Sequence, residues 1–374
     1  MKICDVVINS IWYDPRVKKQ IKSYIQNGYD IECVGVTDVR YNKEEVDKIP
    51  CGVNLVETIT TKKLTLPRKI INRYRQNFGV YKEILKTKAD VIHANDLNAL
   101  VPAYYASKKL KCKLVYDTHE IWLENNNIVN KKILRWVYSV FEKKIIGKAD
   151  IVVSVSNAAA EYFKDKYNIK KPIVVTNCID RDRHITGNAL KAEKKQLLNH
   201  GQFYAGRGYD IMIAAAPLLE KYEDLDVVLR GFGVSEQKLR NQAKETGCSN
   251  IVFEPPVRVE ELIEYASKAW VALAITEPIN MNFKYSVSNK IFEYAAAGLP
   301  VIMSDIPEHR YLNEKYNFGI VLRENTPVEI AKAVELLYND KEFYNKCSEN
   351  AHKLSYEVNW ENEFDKIIDF VKNI

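Results

Sequence analysis

No apolar run of about 18 residues occurs anywhere in the 374 residues, so no spanning helix is expected. Cysteine pairing is missing as well. The seven cysteines, at 4, 33, 51, 112, 178, 248 and 347, are odd in number and form no CxxC. That argues against a structural zinc site and for a reducing compartment. The first residues, MKICDVVINSIW, do not make a secretory signal, because Asp5 breaks the would-be apolar core and the segment alternates like a first strand. A GxGxxG turn is also absent after that strand, which leads into SIWYDPRV, and this disfavours a dinucleotide dehydrogenase. Glycine and proline are modest at 14 and 12, while 47% hydrophobic and 28% charged residues describe a soluble globular chain. The expected location is cytoplasmic.

What is present is alternation. Short apolar runs alternate with helical patterns along nearly the whole chain, the sign of parallel sheets covered by helices. The first half offers KICDVVI, DIECVGV, ADVIHA, KLVYDTH, ADIVVSVS and PIVVTN as strands, with helices starting near Pro15, Pro67, Leu97 and Asn130 and after Ser156. The second half restarts with QLLNHGQ, DVVLRGFG, NIVFEPPV, WVALAIT, LPVIMSD and FGIVLR. Between them NCIDRDRHITGNALKAEKKQ (177–196) is polar and weakly periodic. A chain of this length exceeds one ordinary core. The expectation is an α/β protein of two doubly wound, parallel-sheet domains, 1–180 and 181–355, facing a central cleft. Ligands of such sheets bind beyond the carboxyl ends of the strands.

Charge is mildly positive, +6, but uneven: residues 62–88 hold nine Lys/Arg (62, 63, 68, 69, 73, 75, 82, 86, 88) against one acid, Glu83. Ile70, Ile71, Tyr74, Phe78, Tyr81 and Ile84 recur there at helical spacing. A basic amphipathic helix suits an anionic membrane surface or an acidic acceptor; it is equally a solvated helix face. No nucleic-acid partner is expected.

Past the strand ends, HGQFYAGRGYD (200–210) combines Gly201, Gly206 and Gly208 with Arg207 before a helix. Backbone N–H groups, a helix dipole and a guanidinium would meet a phosphate there, although a tight turn with a surface Arg reads the same alone. RGFG (230–233), with Gly231, is a second and weaker glycine turn. In SVSNKIFEYAAAGLPVIM (286–303), Ser288 is the expected N-cap, Gly298 the left-handed C-terminal cap, and Pro300 stops the helix. Lys290 and Glu293 share one face of this apolar helix; a water-exposed i,i+3 pair is one reading, and a nucleoside diphosphate is the one favoured. Lys290 would meet the phosphates and Glu293 the ribose hydroxyls. VYDTHE (115–120) ends a strand with Asp117, His119 and Glu120. In NSIWYDPRVKKQ (9–20), Asp14 is the N-cap, Pro15 the first helical residue, and Arg16 either reaches the crevice or forms a salt bridge within the domain. DRD (180–182) lies in the linker, and a metal role is rejected.

These motifs carry a resemblance. HGQFYAGRGYD, LRGFG, SNKIFEYAAAGLPVIMSD and the late Trp of NWENEF are similar to those of the family 4 retaining glycosyltransferases of GT-B fold, bacterial type. The first half resembles the subset with a D-P-R-V helix and DTHE after a central strand. The resemblance implies that Arg207 and Lys290 hold the donor diphosphate, with Gly201 and Gly231 in the glycine turns. It implies that Glu293, the second Glu of an E-x7-E motif, binds the ribose, and that His119 contacts the transferred sugar. Arg16 is a candidate donor contact, no metal or cofactor is implied, and a final helix, 356–374, crosses back to the first domain. Three positions depart from the family. Tyr285 stands at the first Glu of E-x7-E, Gln202 replaces the usual Arg after the first glycine, and Asp14 to Val17 replace a double-glycine loop.

The expected function is retaining, metal-independent transfer of a hexose-type sugar from a UDP- or GDP-sugar to a hydroxyl of a glycan or lipid-linked acceptor. The setting would be cell-surface polysaccharide or glycoconjugate synthesis, with the protein cytoplasmic and peripheral on the inner face of the cell membrane through 62–88. The alternatives are a nucleotide-sugar epimerase or hydrolase of the same fold, and a non-catalytic partner subunit.

Overall fold

The computed structural model describes residues 1–38, 41–58, 65–183 and 192–373. The chain divides into two compact units, residues 1–176 with 363–374, and residues 177–362.

The first unit holds seven parallel strands: β1 (Lys2–Val7), β2 (Asp30–Val36), β3 (Gly52–Val56), β4 (Val91–Asn95), β5 (Lys113–Thr118), β6 (Ile151–Ser154) and β7 (Ile173–Val174), in spatial order β3-β2-β1-β4-β5-β6-β7. The second holds six: β8 (Lys195–Gln202), β9 (Leu225–Phe232), β10 (Ile251–Glu254), β11 (Val271–Ala274), β12 (Val301–Met303) and β13 (Gly319–Val321), in order β10-β9-β8-β11-β12-β13. Both sheets reverse direction of winding once, between β1 and β4 and between β8 and β11. Those reversals open the crevices in which such sheets hold ligands.

The strands are apolar because helices cover both sheet faces. Ile3, Val6, Ile92 and Val115 are fully buried in the first unit, and Leu197, Val228, Leu273 and Ile302 in the second. β3 is an additional edge strand, GVNLV, that apolar periodicity did not reveal. It pairs with β2 alone and is only partly buried, so its sequence needs no continuous apolar run.

Local rules set the helix starts. Asp14 accepts the N–H groups of Arg16 and Val17, with Pro15 at the first helical position. The helix Asn289–Ala296 ends before Gly298, which adopts φ +68, and a side chain at Gly298 would strike the His352 ring. Ser288 occupies the N-cap position, but its hydroxyl caps nothing, which leaves the first-turn N–H groups without a side-chain partner. The expected turn at RGFG is in fact strand: β9 runs on through Gly231 to Phe232. Gly231 faces Gly201 across the β8–β9 pairing at φ +149, and a Cβ there would lie 1.8 Å from the Gly201 carbonyl oxygen. Glycine is required at 231 by this close backbone approach.

No disulfide joins any of the seven cysteines, all of which lie within described residues. Among the described residues no helix is long and apolar enough to cross a membrane. Lys62 and Lys63 of the basic segment, and 184–191 of the linker, lie outside the described residues.

Candidate active site

In the second unit the carboxyl end of β8 collects the predicted residues. β8 ends Asn199-His200-Gly201-Gln202, the next loop carries Arg207, and the helix Tyr209–Leu219 follows. Gly208, at φ +71, starts that helix without a side-chain cap, and a Cβ there would overlap Ile275. The helix Asn289–Ala296 brings Lys290 to the same place, and Gly201 makes room for it: a Cβ at 201 would sit 3.0 Å from Lys290 Cε.

The Lys290 ammonium donates to Asn199 Oδ1 at 2.8 Å and to the Tyr209 hydroxyl at 3.1 Å, and lies 4.8 Å from the Tyr209 ring centroid. Asn199 in turn donates through Nδ2 to the Arg207 carbonyl at 3.2 Å, so one amide ties the loop to the lysine. The Arg207 guanidinium stacks 4.6 Å from the Phe283 ring centroid and pairs with no carboxylate among the described residues. Two cations therefore share a site with little to neutralise them. Burial first, and then the nearby Arg207 charge, push Lys290 down from 10.5 to about 7; Glu293 opposes this only in part. Burial likewise lowers Arg207.

Glu293 lies one turn beyond Lys290, yet no ion pair joins them. Its Oε2 accepts a hydrogen bond from His200 Nε2 at 2.7 Å. Burial alone would raise the Glu293 carboxyl, but the His200 hydrogen bond and charge, with Lys290 and Arg183, hold it below its ordinary value. It is ionised at neutral pH. Among the departures from the family, Gln202 is exposed and Tyr285 closes the helix Met281–Tyr285 with Lys284 5.4 Å from its ring centroid.

The first unit has its own polar cluster at the ends of β1, β4 and β5. His119 Nε2 faces Asn95 Oδ1 at 2.9 Å. Asn95 Nδ2 is already committed to Asp5 Oδ1 and the Val6 carbonyl, so its oxygen must accept and the imidazole proton resides on Nε2. Burial outweighs the nearby Asp117 charge and takes His119 down to about 4, a neutral ring at pH 7. His119 is thus a hydrogen-bonding group rather than a general acid at that pH.

Arg16 is turned inward, which corrects its candidacy as a donor contact. Its Nε and Nη2 donate to Asp117 at 3.1 and 2.9 Å, Nη1 donates to the Val175 carbonyl at 3.0 Å, and the side chain is 4% exposed. Gln20 Nε2 adds a further bond to Asp117 at 2.8 Å. The salt-bridge alternative describes Arg16, and Asp117 is held well below the usual carboxylate range chiefly by the Arg16 charge acting against burial. The residues that sequence reasoning left without a role are Asn199, His200 and Asn95. Each is a polar residue toward the carboxyl end of a strand, and that was the available signal.

Comparison with known proteins bears on the family and the fold. A model of Glycosyltransferase Family 4 matches residues 16–183, and one of Glycosyl transferases group 1 matches residues 180–354. An uncharacterized glycosyltransferase of Haemophilus influenzae is 25% identical over 60% of this chain and 61% of its own. The O-antigen chain mannosyltransferase C of Escherichia coli is 21% identical over 63% of this chain and 64% of its own. The chain thus spans a little under two thirds of each of these two relatives. The crystal structure of Anabaena Alr3699/HepE in complex with UDP superposes with a TM-score of 0.79 over 100% of both chains at 15% identity. With two parallel-sheet α/β units and family models that together run from 16 to 354, the chain belongs to glycosyltransferase family 4 and has the GT-B fold.

Proposed function

We propose that the protein transfers a hexose-type sugar from a UDP- or GDP-sugar to a hydroxyl of a glycan or lipid-linked acceptor, with retention of anomeric configuration and without a metal, in cell-surface polysaccharide or glycoconjugate synthesis. The observation that carries this reading is the convergence of Lys290 and Arg207 on one spot, short of negative charge, beside two helix starts that lack side-chain caps. Cleavage of the sugar–diphosphate bond builds charge on the leaving group, and pre-placed cations and helix N-termini stabilise that charge more in the transition state than in the ground state. Glu293 takes the ribose and His119 the transferred sugar, as the family resemblance implies. The UDP held by the Anabaena structure and the O-antigen mannosyltransferase activity of the Escherichia coli relative favour a nucleotide-sugar donor and a surface-glycan setting.

Retention is what the family resemblance implies, and the state of the carboxylates near His119 speaks against a two-step route through a carboxylate nucleophile. Asp117 is fully buried and consumed by Arg16 and Gln20, and burial raises Asp96 well above its ordinary value, so neither is a ready nucleophile. The test is calorimetry with UDP and GDP, followed by acceptor-dependent release of nucleotide in the presence of EDTA. Micromolar binding of one diphosphate and release only with acceptor are expected. Release without acceptor would assign the protein to epimerase or hydrolase chemistry, and release that EDTA abolishes would remove metal independence.

A peripheral position on an anionic membrane belongs to the same proposal. Along the helix Leu66–Thr87 the apolar stripe splits. Val80 and Ile84 are buried, while Ile70, Ile71, Tyr74 and Phe78 stand 57%, 49%, 69% and 45% exposed among Arg68, Lys69, Arg75 and Lys82. In the same unit Ile133 and Trp136 of the helix Lys132–Ile145 are 63% and 66% exposed. Cosedimentation with vesicles containing about one third anionic lipid should fall at least tenfold in the double variant Ile70→Ser/Tyr74→Ser and on raising salt, as expected for joint apolar and electrostatic binding. Equal recovery of both proteins with the vesicles would remove the membrane assignment.

A further inference from the structure

His200 is an unusual residue for its place. It stands 1% exposed in the middle of the second sheet, where an aliphatic side chain would satisfy the core without burying polar atoms. Its ring packs on Tyr294 with centroids 4.5 Å apart, and its backbone N–H donates to the Tyr294 hydroxyl at 2.9 Å, so its position is fixed. Nε2 faces Glu293 Oε2 at 2.7 Å and therefore carries the proton. Nδ1 is buried and meets no hydrogen-bond partner among the described residues. The fold tolerates an unsatisfied buried nitrogen to keep one donor aimed at one carboxylate oxygen.

The other oxygen is open. Glu293 Oε1 accepts no hydrogen bond within the described residues, and the side chain is 20% exposed. Lys290 leaves the same helix one turn earlier and is held by Asn199, the residue before His200. Two consecutive residues of β8 thus hold the two charged residues of one helix.

We propose that His200 is a positioning residue for nucleotide recognition: by donating to Oε2 it fixes the Glu293 carboxylate so that Oε1 receives the ribose hydroxyls of a nucleoside diphosphate. This rests on the nucleotide-sugar reading above and extends it from Glu293 to a residue that need not touch the ligand. A hydrogen bond that merely joined strand to helix would affect folding; this one sets discrimination between ribose and its deoxy analogue.

The test measures binding of UDP, GDP and ADP to the full chain by calorimetry, then of the 2′,3′-dideoxy form of the diphosphate that binds most tightly. Wild type should bind the ribonucleotide at least about tenfold more tightly than its dideoxy form, the size of a charge-assisted hydrogen bond. In H200F, whose ring keeps the packing on Tyr294, the ratio should collapse to about twofold or less. H200Q, which can still donate to Glu293, should restore most of it. A wild-type ratio in H200F, or no ribose discrimination in the wild type, overturns the role of His200 while leaving diphosphate binding in place. Wild type binding none of the three diphosphates overturns the nucleotide-sugar reading itself. Should H200F not fold, the imidazole nitrogen-15 spectrum of wild type decides: the His200 Nε2 signal must move with the ribonucleotide and stay still with the dideoxy form.

Discussion

Replacing Lys290 by Met is expected to lower turnover and diphosphate affinity by about 10- to 200-fold, the worth of one charge-assisted hydrogen bond of roughly 1.5–3 kcal/mol. R207A should lose a similar amount. The structure adds a second expectation that separates a ligand role from a structural one. Lys290 is pushed down to about 7 because it is buried beside Arg207, with only Glu293 opposing. Its other neighbours are the neutral Asn199 amide and the Tyr209 hydroxyl. A bound diphosphate favours the ammonium and so raises this value. Affinity should then be steady, as far as Lys290 is concerned, just below pH 7 and weaken as pH rises above it, by up to about tenfold per unit. Terminal phosphate ionisation is complete in that range and does not contribute. K290M should remove the slope. The stability effect has the opposite sign. Because the folded value lies below the unfolded 10.5, the ammonium costs stability at pH 7 and below, and that cost fades as pH rises toward 10.5. Unliganded K290M should therefore melt no lower than wild type at pH 6.5. A diphosphate Kd that is flat from pH 7 to 9, or unchanged in K290M, would end the assignment of Lys290 to the phosphates.

Arg16→Met is expected to do the reverse: severe loss of stability of the first unit, with no direct part in donor contacts. Asp117 is 0% exposed and takes its charge compensation from Arg16 through two guanidinium nitrogens. Removing the cation leaves a carboxylate in the sheet interior with Gln20 and the rings of His93 and His119 for company. Breaking one side of a buried pair costs about 3–5 kcal/mol, a large share of the stability of an ordinary domain. Urea unfolding followed by tryptophan fluorescence measures it, and Trp12 lies in the same unit. The double variant R16M/D117L should recover much of the loss, since removing both charges eliminates the orphan. A single variant that loses less than about 1 kcal/mol would show that Asp117 does not depend on Arg16. Diphosphate affinity of whatever R16M remains folded should match wild type.

The sequence by itself determined the alternation of strands and helices, because burial on both faces of a parallel sheet writes continuous apolar runs and covering helices write a helical period. It determined the caps at Asp14 and Gly298, where backbone geometry restricts residue choice locally, and it placed Lys290 and Glu293 on one helical face. It could not decide which charges meet. Arg16 and Asp117 are 101 positions apart, Lys290 and Asn199 91, and His200 and Glu293 93. No local period encodes such partners; only the sheet order does, by bringing β1, β4 and β5, or β8 and its neighbouring helices, to one end of a sheet. The same limit hid edge strand β3, which is half-covered, and the exposure of Ile70 to Phe78, where an amphipathic pattern predicts an apolar stripe without saying whether the fold supplies anything to cover it. Local free energies fix elements; long-range packing decides which polar groups share a site, and that alone separates Arg16, paired inward with Asp117, from Arg207, which meets no carboxylate among the described residues.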